Sequence, residues 1–196
     1  MFSVRFHGRG GQGVVTAAEM LSVAAFEMGR YAQAFPTFGS ERTGAPVVSF
    51  CRIDDQPITF HEPIVEPDAL VVQDPTLLHQ VPILEDAGPS TYLLLNTARP
   101  VTGLGISSSV ARLRPERVAT VAATDLAREI LGRPLPNTAL LGAFAALTGL
   151  VSIDALETAI RARFAGQVAA GNIAVARRAY SGVTSRVTTG EEAGHA

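Results

Sequence analysis

Lysine is missing altogether: the sixteen basic residues are all arginine. That excludes a Walker A phosphate loop, a Schiff-base amine and an anchor for pyridoxal phosphate. Cysteine is nearly absent, with Cys51 standing alone. Neither an internal disulfide nor a cysteine-held iron–sulfur cluster can form within the chain, and no Cys-x-x-Cys pair exists to build a structural zinc site. This usage predicts a reducing, cytoplasmic setting. Charge is sparse and scattered, for a net of −2, so no basic patch marks a nucleic-acid surface. Long apolar runs are also missing. The longest, TALLGAFAALTGLV (138–151), falls short of the roughly 18 residues a membrane span requires and reads as a buried helix. The N-terminus has neither the basic region nor the apolar segment of a signal peptide. The four histidines, His7, His61, His79 and His195, show no adjacent-ligand spacing, and no metal site is expected. No G-x-S-x-G elbow is present, and Cys51 lies in a strand-like run that suits core packing better than nucleophilic attack.

What remains is apolar and foldable. The 196 residues are 47% hydrophobic with a mean hydropathy of +0.24, enough for one core. The expectation is a single domain over 1–183, followed by a polar, glycine-containing, disordered tail over 184–196. The pattern is α/β. FSVRF (2–6) alternates as a strand, and Val14, Ala17, Ala18, Leu21, Ala24, Ala25 and Met28 fall at helical spacing, with Gly29 placed to end the helix. PVVSFCRI (46–53), DALVVQD (68–74) and STYLLLN (90–96) read as strands. RVATVAATDLAREIL (117–131) passes from strand to helix with Thr124 or Asp125 as the N-cap. The last third is helical over 137–150, 152–164 with Ser152 as N-cap, and 172–183. The architecture expected is one three-layer domain with a mostly parallel, Rossmann-like sheet. The helix from Asn137 has no wide polar face, so it is buried either within the domain or against a partner subunit.

Two loops carry the chemistry. GRGGQG (8–13) follows the first strand with G-x-G-x-x-G spacing, and glycines there let backbone N–H groups converge on an anion at a helix N-terminus. Arg9 would add a charged fork. The competing reading is a tight turn that only lets helix and sheet pack closely. A full dinucleotide site also needs an acid at the end of the second strand, about 20 residues on. That strand, YAQAF (31–35), has none. The second loop, FPTFGSERTGAPV (35–47), packs two aromatics, hydroxyls and the Glu41–Arg42 pair into a turn-rich stretch. It reads either as a solvated turn or as a working loop suited to phosphate or carboxylate. His7, just before the glycines, is a hydrogen-bonding site residue or part of a local network. No recognisable catalytic set emerges.

GRGGQG, FPTFGSERTGAPV, PDALVVQDPTLL (67–78) and NTALLGAFAALTGLVSIDALETAI (137–160), in that order, resemble the gamma subunit of pyruvate:ferredoxin oxidoreductase and its 2-oxoacid:acceptor oxidoreductase relatives over roughly residues 2–182. The resemblance implies a complex that oxidatively decarboxylates a 2-oxoacid such as pyruvate to acyl-CoA and CO2 and reduces ferredoxin. It places thiamine diphosphate, magnesium and iron–sulfur clusters on thiamine-diphosphate-binding, 2-oxoacid-binding and ferredoxin-like partner subunits, with coenzyme A as co-substrate. This chain has no Gly-Asp-Gly opening of a thiamine motif, and is not expected to act alone. The family's glycine loop falls on Gly8, Gly10, Gly11 and Gly13, with Arg9 and Gln12 between them as candidate anion or coenzyme A contacts. Its second loop falls on Thr37, Gly39, Ser40, Glu41, Arg42, Thr43 and Gly44. Asn137, opening the fourth stretch, joins these as an interface or ligand residue. The two loops are expected side by side at the C-terminal edge of the sheet. A stand-alone NAD- or FAD-binding oxidoreductase and a purely structural subunit remain the alternatives.

Overall fold

The computed structural model describes residues 1–37, 43–60 and 62–193, with side chains described as far as Thr184. Six strands form one sheet: β1 (Phe2–Arg9), β2 (Tyr31–Pro36), β3 (Pro46–Asp54), β4 (Ala69–Val72), β5 (Tyr92–Asn96) and β6 (Val118–Val121). Their order is β2-β3-β1-β4-β5-β6. β3 pairs antiparallel with both β2 and β1, while the β1–β4, β4–β5 and β5–β6 pairs are parallel. Among these six, only β3 runs against the rest: nine residues separate it from β2, too few for a crossover connection.

Helices α1 (Val14–Glu27), α2 (Ser107–Val110), α3 (Ala123–Leu131), α4 (Asn137–Thr148), α5 (Ile153–Arg163) and α6 (Gly166–Ala193) complete the fold. One face of the sheet, through Val4, Phe6, Cys51, Ile53, Val71 and Leu94, packs against α1, α4, α5 and α6. The opposite face, through Leu70, Val72, Leu93 and Leu95, is covered by a thinner layer of 3-10 turns and irregular chain contributing Leu77, Ile83, Ile106 and Leu113. These are the three layers expected, with helices massed on one side.

Several details depart from the sequence reading. β1 alternates, yet Ser3 to Gly8 are all buried. Arg5 does not face water: its guanidinium donates to the carbonyls of Ile83 (2.9 Å), Val65 (3.3 Å) and Ile64 (3.4 Å) and to Asp86 (3.0 Å). Neither Thr124 nor Asp125 caps α3. The helix starts earlier, behind Ala122, because the strand stops at Val121. The N–H of Thr124, in the first turn, then meets Asn96 Oδ1 at the end of β5, at 3.1 Å.

Helix α4 is buried within the chain over residues 137–145, chiefly by α6. A Cβ on Gly142 would stand 2.0 Å from the carbonyl oxygen of Ala176, and Thr138 donates to Asn172 at 2.9 Å beside that crossing. Ser152 caps α5 as expected, accepting from the Ala155 N–H at 3.1 Å. Glu157 of α5 is buried and receives Arg161 and Arg177, fastening α5 to α6. Helix α6 begins at Gly166 rather than 172. Gly171 is no breaker there, because its missing Cβ leaves room for Leu131 of α3. The backbone also stays helical to Ala193, past the start of the expected disordered tail at 184, since extending an existing helix avoids the cost of nucleating one.

Candidate functional site

β1 runs into the glycine loop at the C-terminal edge of the sheet, and Thr43, Gly44 and Ala45, just before β3, come alongside it. Gly10 bridges Thr43 in parallel fashion, with the Gly10 N–H donating to Ala45 O at 2.9 Å and the Gly44 N–H to Gly10 O at 3.1 Å. Gly39, Ser40, Glu41 and Arg42 lie outside the described residues, as do His61 and His195. Thr37 stays at the start of the β2–β3 connection, where its hydroxyl donates to Val48 O at 2.7 Å.

The glycines have separate tasks. Gly8 is a packing position: a Cβ there would stand 2.6 Å from Val14 Cγ2. Gly11 and Gly13 have φ of +92° and +72°, a left-handed geometry that side chains disfavour. Gly13 is also the N-cap of α1, and no side chain caps that helix. A Cβ on Gly13 would stand 2.5 Å from Asn137 Nδ2, so the start of α4 packs on the loop and brings Asn137 to the site. The first N–H groups of an α-helix lack intrahelical acceptors and carry partial positive charge. They open here onto a groove of about 410 Å³ between Gly10, Gly11 and Gly13, the first turn Val14–Thr16, Thr43 and Val47. The arrangement suits an anion.

Arg9 and Gln12 do different work from the anion contacts expected of them. Arg9 lines the groove, but its guanidinium is committed: Nε donates to Asp74 at 3.0 Å, Nη1 to Gly44 O at 3.1 Å, and Nη2 to Thr76 Oγ1 and Gln80 Oε1 at 2.9 and 3.0 Å. Gln12 accepts from the Arg9 N–H at 2.8 Å and donates to Asp74 at 3.2 Å. Burial acts to raise the Asp74 pKa, yet the hydrogen bonds from Thr76 and Gln12 and the Arg9 charge outweigh it, leaving the carboxyl below its usual range. This clasp closes the crevice between the ends of β1 and β4. That crevice is the switch point, where open α/β sheets place a nucleotide. The groove lies one strand over, between β1 and β3. Sequence reading missed Asp74, although Asp-Pro-Thr at 74–76 is an N-cap signature and Asp74 does cap the 3-10 turn Pro75–His79.

His7 is buried on the face that carries Arg5. Burial first, and the Arg5 charge second, push its pKa down to about 3. It is a neutral imidazole near pH 7 and offers no acid there. The sign of the linkage follows: the unfolded chain takes up a proton near pH 6.5 and the folded chain near 3, so His7 carries no penalty above about pH 6.5 and lowers stability as the pH falls below it. Between pH 7 and about 4.5, wild type should lose ~2–3 kcal/mol more than His7→Leu, at 1.4 kcal/mol per unit. Urea midpoints at the two pH values check this, and equal losses would remove His7 from the acid response.

Cys51 is fully buried and burial raises its thiol pKa, so it is inert. Among the described residues, no group of three His, Cys, Asp or Glu is placed to hold a metal ion, and no helix is long and apolar enough to cross a membrane. The sequence has one cysteine and no Gly-Asp-Gly segment.

The family model for pyruvate ferredoxin/flavodoxin oxidoreductase matches residues 3–182. The pyruvate/ketoisovalerate oxidoreductases common subunit gamma of Pyrococcus furiosus is 47% identical over 180 residues, covering 92% of this chain and 96% of that one. The crystal structure of pyruvate oxidoreductase subunit PORC from Thermotoga maritima superposes with a TM-score of 0.77 at 38% identity, covering 92% of this chain and 95% of that one. The fold also recurs, at 16% identity and a TM-score of 0.74, within 2-oxoglutarate:ferredoxin oxidoreductase from Magnetococcus marinus, solved with 2-oxoglutarate, coenzyme A and succinyl-CoA bound. There the match covers 94% of this chain and 31% of that one.

Proposed function

The chain belongs to the pyruvate ferredoxin/flavodoxin oxidoreductase family, and on that premise we propose that it is the gamma-type subunit of a 2-oxoacid:ferredoxin oxidoreductase. The complex converts a 2-oxoacid such as pyruvate, with coenzyme A, to acyl-CoA and CO2 and passes the electrons to ferredoxin. Thiamine diphosphate, magnesium and the iron–sulfur clusters sit on partner subunits, in keeping with the donor set of this chain. Those partners are a thiamine-diphosphate-binding, a 2-oxoacid-binding and a ferredoxin-like subunit, and the setting is cytoplasmic. Near-complete coverage of the Pyrococcus gamma subunit at 47% identity supports this reading.

The groove is this subunit's own contribution. The observation that carries its role is the uncapped N-terminus of α1, opening between Gly10–Gly13 and Thr43. Backbone N–H groups and a helix dipole there favour the phosphates of coenzyme A over a neutral ligand. The stand-alone dinucleotide enzyme is disfavoured twice, by the Arg9–Asp74 closure of the switch point and by the absence of an acid at the end of β2.

Thr16→Glu tests the groove against the purely structural alternative. Thr16 is the third residue of α1, where glutamate favours helix formation, so stability should hold or rise. The same carboxylate occupies the anion position and repels phosphate. In the assembled complex the KM for coenzyme A should rise about ten-fold or more, ten-fold corresponding to ~1.4 kcal/mol. An unchanged KM in a complex of normal composition would assign the loop to packing alone.

A further inference from the structure

We infer that Asp74 is a positioning residue that sets the opening of this groove, acting through Arg9 and Gln12. The inference rests on the reading that the groove takes coenzyme A phosphates. Asp74 stands just beyond β4 and does not line the groove, yet its carboxylate reaches both arms of the glycine loop. Oδ2 accepts from Arg9 Nε at 3.0 Å, just before Gly10, and from Gln12 Nε2 at 3.2 Å, just before Gly13. Oδ1 is anchored by the Thr76 N–H at 3.0 Å and the Thr76 hydroxyl at 2.6 Å, so the carboxylate cannot follow the loop if the loop moves.

Arg9 then carries the constraint across the groove. Its Nη1 donates to Gly44 O at 3.1 Å, and Gly44 adjoins Thr43 on the opposite lip. One carboxylate thereby fixes the two stems of the loop and, through a single guanidinium, the far wall. The tip at Gly10–Gly11 has no side chains: Gly10 is paired through its backbone with Ala45 and Gly44, and the direction of the rest is set by those stems. All four groups that face Asp74 are donors, so the site requires an acceptor-only carboxylate. A carboxamide of the same size loses one acceptor and turns its NH2 against either Thr76 or the Arg9–Gln12 pair. A released Arg9 loses both its hold on Gly44 and its fixed direction.

The test uses the assembled complex. Asp74→Asn should raise the KM for coenzyme A about five- to ten-fold, or ~1–1.4 kcal/mol, with the KM for the 2-oxoacid unmoved and kcat falling less than the coenzyme A KM rises. Asp86→Asn, which alters the Arg5 ion pair in the middle of β1, should leave the coenzyme A KM unmoved. If Thr16→Glu raises that KM and Asp74→Asn does not, positioning by Asp74 is overturned while the groove stands. If neither variant moves it, both readings fall. If Asp74→Asn does not assemble, Gln12→Met removes one of the two loop-stem tethers without touching the Thr76 anchor. A normal coenzyme A KM in Gln12→Met then overturns the inference, and a raised one supports it.

Discussion

Gly142→Ala is expected to cost about 3 kcal/mol or more and to lower the thermal midpoint by about 6–12 °C, at roughly 2–4 °C per kcal/mol for a chain of this size. In an isolated helix the same change would gain about 1 kcal/mol, so the sign itself is informative. The added methyl would stand 2.0 Å from Ala176 O and 2.7 Å from its carbonyl carbon. These are backbone atoms of α6 that no rotamer change can clear. Relief requires α4 and α6 to move apart, which strips Thr138 from Asn172 and loosens Leu140, Phe144 and Ala179 in the main core. Gly182→Ala on α6 provides the contrast. No atom lies within 4 Å of its added Cβ, and that variant should gain up to about 1 kcal/mol. Circular-dichroism melts of the two proteins suffice, and a Gly142→Ala midpoint at or above wild type would show that the helices cross more loosely than described.

Arg5→Met should cost about 3 kcal/mol or more, because the buried carbonyls of Ile64 and Ile83 lose a charged donor, at about 1–3 kcal/mol for each buried group left unsatisfied. Methionine replaces the aliphatic stem and keeps the strand packed, so the loss isolates the guanidinium. That group donates to the carbonyls of Ile64 and Val65 and holds the chain crossing from β3 to β4 against the sheet. Arg52 works beside it, donating to the carbonyls of Phe60 and Glu62. Asp86 is the lesser member of the pair, since 39% of its side chain is exposed and water can replace Arg5 there, whereas only 10% of the Arg5 side chain is exposed. Asp86→Ala should therefore cost about 1 kcal/mol or less. Limited proteolysis should cut Arg5→Met first within 56–66. Equal urea midpoints for the two variants would refute the carbonyl clamp.

The parts of this molecule legible in its sequence are those written in local spacing. The helical repeat from Val14, the strand runs at 46–53 and 90–96, the Ser152 cap and the strand–glycine–helix order at residues 2–28 all survive in the structure. Illegible were the contacts that join distant positions. Arg9 pointed to a ligand because its neighbours are glycines, but it is claimed by Asp74, 65 residues on. Thr124 looked like a cap because its own side chain is suitable, but its N–H is capped by Asn96, 28 residues back. The alternation of FSVRF announced a strand but not the burial of Arg5, since period two reports that two faces differ and not which one is dry. The small-residue run from Asn137 announced close packing without naming what packs there, and α6 supplies the answer. The resemblance to the gamma-subunit family gave the activity, because no catalytic set could be read from this chain's own residues.

The layering has a consequence for how the chain is made. Most of the sheet face bearing Val4, Phe6, Val71 and Leu94 has been synthesised by the end of β5, but much of its cover comes from α4, α5 and α6, which begin at Asn137. At usual translation speeds of roughly 5–20 residues per second, about 4–17 s separate the emergence of Leu94 from that of Ala179. During that interval α1 is the main helix over an apolar sheet, and the seam at Gly142 cannot close until Ala176 has left the ribosome. The nascent subunit is thus a client for chaperones, and a ribosome stalled before α6 would hold out a sticky half-built domain.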